Sequence, residues 1–431
     1  EATLADGTVL VASAALEVAS LSTPDPTTSI MLTAAAPYSS VKGTLYVYKS
    51  GYHAGVRCPI LVAEGFDMEN NMDWDVLYNI LNEEQLAETL RAYGRDLLVL
   101  DYADAMRSIP ENAALARAAV NYVNAERSNR DDRFTVIGAS MGGLVTRMAL
   151  ADMDRAPASY GTSDVNTWIS FDSPQTGANI PLGIQEFLKF FSDKNDAFAS
   201  AAELYGILNQ PAAKQMLLVH HATAGELAGN AEHDAFQATL DRAGYPTSCK
   251  KIAISNGSGY GVQQPYRAGE LVLYWSCRSF SVDIDADIYA LSTASTPSVP
   301  TAFYGFWDTA ALFDETSTRQ QHYYHDALDN APGGTRSSFR TLFDSIPSGY
   351  KDDSDYCLAP NHCFIPTVSS LGISTAYCSL PLHTNESLRA LSPFEEIHYP
   401  GVNEAHIAIN ANNKTWFLKA ILEGYDTDGD G

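Results

Sequence analysis

The run Phe134-Thr135-Val136-Ile137-Gly138-Ala139-Ser140-Met141-Gly142-Gly143 constrains this chain more than any other stretch. Its apolar and β-branched start reads as a buried strand, and a helical pattern follows directly after Gly143. Between them stands Gly-x-Ser-x-Gly. In that setting the turn at Ser140 is so tight that only small residues fit two positions to either side, hence Gly138 and Gly142. The turn lifts the serine hydroxyl over the end of a sheet, which makes Ser140 a candidate nucleophile. A chance Gly-x-Ser-x-Gly in a loop lacks both the strand before it and the helix after it.

The same rhythm recurs beyond residue 58. Short apolar runs at 60–63, 97–100, 134–137, 168–171 and 251–255 alternate with helical patterns such as 111–127, where Leu115, Ala119 and Val123 share a face. Strands apolar on both faces, alternating with helices, predict an α/β fold with a mostly parallel central sheet covered on both sides. Residues 1–57 read instead as short strands at 8–11, 29–33 and 42–48, a small N-terminal β extension packed on a main domain of 58–422. Two insertions interrupt that domain. The first, 181–242, is helical, and its opening helix carries Leu182, Ile184, Phe187, Leu188, Phe190 and Phe191. So much aromatic surface suits a lid whose apolar face, Phe187 included, meets a greasy substrate; an ordinary packed insertion is the alternative. The second insertion, 270–356, opens with alternating strands.

A hydrophobic content of 45%, with 10% aromatic, describes a packed protein rather than a disordered one. The net charge of −25 argues against nucleic acid and anionic membrane surfaces as partners. No apolar run approaches the ~20 residues of a membrane-spanning helix. Six cysteines, at 58, 249, 277, 357, 363 and 378, form no Cys-x-x-Cys pair and no zinc-like spacing. Their even number suits disulfides in a secreted protein, with Cys357–Cys363 across a short loop and Cys249–Cys277 across neighbouring strands as the inviting pairs. The start at Glu1 fits a processed chain, expected to be a monomer. In the acidic tail, 423–431, Asp426, Asp428, Asp430 and Gly431 fill the first, third, fifth and sixth positions of a calcium loop, without the Glu that completes one. No other cofactor or metal is expected.

A serine hydroxyl is a weak nucleophile that needs an adjacent base, usually a histidine oriented by a carboxylate. After an elbow of this kind the order along the chain is serine, acid, histidine. His406, in Asn403-Glu404-Ala405-His406-Ile407, precedes a closing amphipathic helix and is the preferred base, with His398 its rival. His220, His221 and His233 fall in the helical insertion, and His322 and His325 in a polar stretch. Asp172 ends the run Thr167-Trp168-Ile169-Ser170-Phe171 and so emerges at the same sheet edge as Ser140. It is the favoured acid, and Asp355 the rival; an Asx turn ahead of Ser173-Pro174 is the other use for Asp172. The tetrahedral oxyanion needs two donors, each worth about 3 kcal/mol. The Met141 N–H beside the nucleophile is one, and the Phe66 N–H, where Gly65 lets the backbone turn inward, is the other. Gly65 and Asp67 are placed to orient this loop or touch substrate.

These residues together resemble the lipase and esterase branches of the α/β-hydrolase superfamily, over about 58–422. Gly138 to Arg147 is similar to their elbow, and Glu64-Gly65-Phe66-Asp67 stands where many lipases have His-Gly. Asp172-Ser173-Pro174-Gln175-Thr176-Gly177 resembles their Thr-Pro-His-x-Gly turn, and Phe364 to Ser369 their Val-Pro-x-x-Ser segment. The Asp-Gly that often precedes Val-Pro is replaced here by Asn361-His362-Cys363, while an Asp fills position 172, where some lipases carry their acid. The resemblance implies an α/β-hydrolase fold and ester hydrolysis without giving the substrate, for which the apolar insertion suggests lipid-like or polymeric esters over small polar ones. An acyltransferase, a serine peptidase and a non-catalytic binding module are the competing expectations.

Overall fold

The computed structural model describes residues 2–3, 9–10, 23–67, 72–194, 199–221, 228–278, 283–293, 301–309, 314–321 and 323–422. Its main sheet contains β1 (Thr28–Thr33), β2 (Lys42–Tyr48), β3 (Ile60–Ala63), β4 (Leu97–Tyr102), β5 (Thr135–Ala139), β6 (Thr167–Phe171), β7 (Lys250–Ile254) and β8 (Glu396–His398). They lie in the order β1-β2-β4-β3-β5-β6-β7-β8. β2 is antiparallel to both neighbours, and every pairing from β4 through β8 is parallel.

Alternate residues of the parallel strands enter two different cores, as a sheet covered on both faces requires. Leu61, Val136, Trp168 and Ala253 pack with helices α1 (Ile109–Glu126) and α2 (Met141–Arg155) on one side. Val62, Ile137, Ile169 and Ile252 pack on the other, with Leu77, Leu86 and Phe417. Helix α1 begins where a capping box closes on its first turn, Ser108 with Glu111. Its alanines at 113, 114, 116 and 119 are buried, which lets α1 lie close to the sheet and to α2.

β1 and β2 are the antiparallel edge of this main sheet rather than a separate extension. β2 registers along the whole of β4, from Gly43 opposite Tyr102 to Tyr48 opposite Leu97, and buries Leu45, Val47 and Tyr48. Short strands between turns set them apart in the sequence from the continuous apolar runs, yet one buried and one solvated face is what an antiparallel edge pair shows.

The two insertions pack on each other. Strands Leu271–Arg278, Asp283–Tyr289, Thr301–Thr309, Asp314–Gln321 and Tyr356–Cys357 form a second, antiparallel sheet. Helix α3 (Leu182–Phe191) lies on it, with Phe187 and Phe191 against Trp275 and Phe303. This corrects the lid reading of Phe187, which is only 2% exposed in this second core. The aromatic surplus of α3 is used by a sheet that the sequence places some 80 residues later.

All six cysteines are free thiols, which corrects the disulfide expectation. Cys277 lies in the second sheet while Cys249 directly precedes β7 of the first. Cys357 pairs beside Leu273, whereas Cys363 pairs beside Thr335 in a different sheet. The expectation of export thereby loses its cysteine support. His322 and the calcium-loop residues Asp426, Asp428 and Asp430 lie outside the described residues.

Phe187→Ala is expected to cost about 3–5 kcal/mol by emptying the second core. Denaturant unfolding, followed through the fluorescence of Trp275 and Trp307, measures it.

Candidate active site

Ser140 sits between β5 and α2 with φ 52° and ψ −126°, a conformation L residues rarely adopt. Its N–H donates to Phe171 O at 2.9 Å, so the strained residue is tied to the neighbouring strand. A Cβ at Gly138 would meet Gly142 O at 2.5 Å, and one at Gly142 would meet Ala63 O at 2.4 Å. Neither position has room for any side chain, so the two glycines are requirements of this turn.

Asp172 follows β6 and His406 lies on the loop between β8 and helix α4 (Ala411–Ile421). Asp172 Oδ2 is 2.7 Å from His406 Nδ1, and His406 Nε2 is 2.8 Å from Ser140 Oγ. A carboxylate only accepts, so Nδ1 carries the proton and donates it, which leaves Nε2 to accept from the serine hydroxyl. Asp172 is fully buried, and its other oxygen accepts from Asn256 N at 3.0 Å. Both carboxyl oxygens of Asp172 thus accept hydrogen bonds.

A strand from the second insertion braces this pair. Gly333–Arg336 runs beside the site, with His406 N donating to Thr335 O and Thr335 N to Glu404 O, each at 2.9 Å. A Cβ at Gly334 would lie 2.1 Å from Asp172 Oδ2. Gly334 is therefore a site residue that sequence reasoning missed; the Gly333-Gly334 pair was its only trace.

Met141 opens α2, so its N–H has no partner within the helix. Neither it nor the Phe66 N–H has an acceptor among the described residues, and Phe66 lies on the loop facing Ser140. Gly65 is close to the nucleophile, where a Cβ would stand 3.2 Å from that of Ser140. Asp67 accepts from Met72 N at 2.8 Å and is buried, holding the loop rather than lining the cavity. The cavity itself, about 420 Å³, is walled by Leu77, Leu81, Phe171, Ile409 and Phe417, with Met216, Phe364 and Arg336 reaching in from the later segments.

The rivals are elsewhere. His398 lies on β8, stacked on Trp416, and Asp355 accepts from Ser276 N and Asp352 N within the second insertion. His220 Nε2 donates to Leu208 O and His233 Nδ1 to Gln215 O, both inside the helical insertion.

Behind Phe66, Glu64 and Asp101 lie together. Glu64 Oε2 accepts from Tyr102 N at 2.8 Å, while Oε1 faces no donor. A proton on Glu64 shared with Asp101 satisfies both groups. Burial pushes Glu64 well above the usual carboxyl range and Asp101 up to about 6, with Asp73 and Asp67 adding to the latter.

The strand order, with an elbow after the fifth strand and an acid and histidine after the sixth and eighth, defines an α/β-hydrolase fold carrying a Ser-His-Asp arrangement. No family model matches the chain, and no curated protein matches it significantly. Solved structures to which it is similar include Est1E from Butyrivibrio proteoclasticus, at 10% identity over 52% of this chain and 76% of that one, with a TM-score of 0.30. A Pyrobaculum calidifontis esterase matches at 14% identity over 54% and 67% of the two chains, TM-score 0.29. A serine hydrolase without lid from Xanthomonas campestris matches at 19% over 35% and 65%, TM-score 0.24. The fold stands on the strand order and the elbow of this chain.

Two outcomes are expected. Gly334→Ala forces Asp172 away from His406 and slows acylation of Ser140 by an activated ester on the order of 100-fold or more, read by stopped flow. Raised carboxyl pKa values mean that the folded state holds protons the unfolded chain releases, so this contribution to stability is full below the ordinary carboxyl range and is lost as pH rises through about 6. Asp101→Asn removes that loss: its melting temperature should gain on the wild type between about pH 4 and about pH 6 and stay ahead above that.

Proposed function

We propose that this protein is a serine carboxylic-ester hydrolase working through an acyl-enzyme. The observation that carries the reading is the unbroken chain Ser140 Oγ, His406 Nε2, His406 Nδ1, Asp172 Oδ2, with contacts of 2.8 and 2.7 Å, opening on an apolar cavity beside two free N–H groups. Ser140 Oγ attacks the ester carbonyl as its proton passes to His406 Nε2. The imidazolium that forms is stabilised by Asp172, and the oxyanion by the Met141 and Phe66 N–H groups. Collapse expels the alcohol, which takes the proton from His406. Water then adds to the acyl-enzyme, with His406 as base, and the freed acid restores Ser140.

The cavity walls of Leu77, Leu81, Phe171, Ile409 and Phe417 support an acyl chain of several carbons rather than acetyl alone. Hydrolysis of p-nitrophenyl butyrate tests the reading. Ser140→Ala should lower kcat on the order of 10⁴-fold or more, and adding His406→Ala should lower it no further, because the residues act as one unit. An undiminished rate in Ser140→Ala would overturn the assignment.

A further inference from the structure

Buried guanidinium groups normally have their donors satisfied. Arg147 reaches Gly244 O at 2.9 Å and Gln175 Oε1 at 3.3 Å, and lies over the Tyr245 ring. Arg127 donates to Asn124 Oδ1, Asp164 O and Asp132 O, with its buried Nε alone unpaired. Arg336 differs. Among the described residues no carboxylate pairs with it and no carbonyl accepts from it, in a chain with 52 acidic side chains. Its guanidinium carbon lies 5.0 Å from the centre of the Phe364 ring. Burial lowers its pKa with no carboxylate to offset the effect. Burial above all, with the Arg336 charge adding, pushes His362 down to about 3, so it stays neutral.

Arg336 also stands where cavities meet. It lines the catalytic cavity and a second apolar one of about 200 Å³, walled by Ile184, Leu188, Leu204 and Leu342. Phe364, beneath it, packs edge-on against the His406 ring at 4.8 Å. A half-buried, five-donor fork with no carboxylate partner thus lines the space a substrate enters, one ring removed from the catalytic imidazole.

We propose that Arg336 recognises a carboxylate on the substrate, so that the favoured esters carry a free acid a few carbons from the scissile bond. The inference rests on the hydrolase reading above. The carboxylate sits either on the acyl side, as in half-esters of dicarboxylic acids, or on the alcohol side, as in esters of hydroxy acids. Pairing gives the guanidinium a bidentate charge-assisted bond in a half-buried, largely apolar cavity, where such a bond is stronger than in open water. A guanidinium that merely braces Phe364 would serve charged and neutral esters alike.

The test compares kcat/KM for mono-4-nitrophenyl adipate with 4-nitrophenyl hexanoate, and for the butyrate ester of 4-hydroxybutyrate with butyl butyrate. On one of the two pairs the wild type should prefer the acid on the order of 10- to 100-fold, with the difference mainly in KM. Arg336→Met should abolish that ratio and Arg336→Lys should keep part of it. Binding to the Ser140→Ala protein gives a readout independent of turnover: calorimetry should detect monomethyl adipate more strongly than dimethyl adipate, and lose the difference in the Ser140→Ala, Arg336→Met double variant. Equal treatment of acid and neutral ester on both pairs, or a preference that survives Arg336→Met, overturns the inference and leaves the hydrolase reading intact. Absence of all ester hydrolysis sinks that reading instead, and the calorimetric comparison still decides the role of Arg336.

Discussion

The hydrogen bond from His406 Nδ1 to Asp172 Oδ2 joins residues 234 positions apart, and the site depends on it. It fixes which imidazole nitrogen carries the proton and so leaves Nε2 free to take one from Ser140. Forming it needs β6 and β8 on the same side of β5, with their C-terminal ends at one edge. The parallel sheet provides that alignment. The final adjustment comes from outside the sheet, where Gly333–Arg336 holds His406 by its backbone and passes Asp172 with no side chain in between.

Strain at Ser140 is the second constraint. A residue in so sparsely populated a conformation costs on the order of 1–3 kcal/mol and persists only where its surroundings leave no alternative. Here β5 is central, flanked by β3 and β6, and α2 is buried along nearly its whole length. Trp168 Nε1 donates to Thr146 Oγ1 at 2.9 Å, joining the helix to β6 through a buried side-chain bond. The elbow is held from both ends, and the nucleophile inherits that rigidity.

Local chemistry was legible in the sequence, and long-range packing was not. Ser140, Asp172 and His406 each carry a local signal: a glycine-framed turn, an Asp at a strand end, a His before the closing helix. The structure brings those three together. Phe187 misled because its helix advertises apolar surface without saying what covers it; the covering strands come some 80 residues later and belong to an insertion whose pattern gave no partner. β8 is three residues long and offered too little periodicity to be read. The cysteines illustrate the same limit, since spacing along the chain says nothing about which sheet each thiol joins. Gly334 and Arg336 act through contacts made only when the second insertion folds back over the main sheet, so no local pattern could mark them.

The most direct measurement of the central claim is covalent labelling with a fluorophosphonate, mapped by peptide mass spectrometry. An intact Ser-His-Asp chain activates one hydroxyl out of all those present, so the account predicts a single adduct, on the peptide containing Ser140, and its loss in His406→Ala. A folded wild-type protein that gains no adduct, or gains it at another residue, would contradict the account.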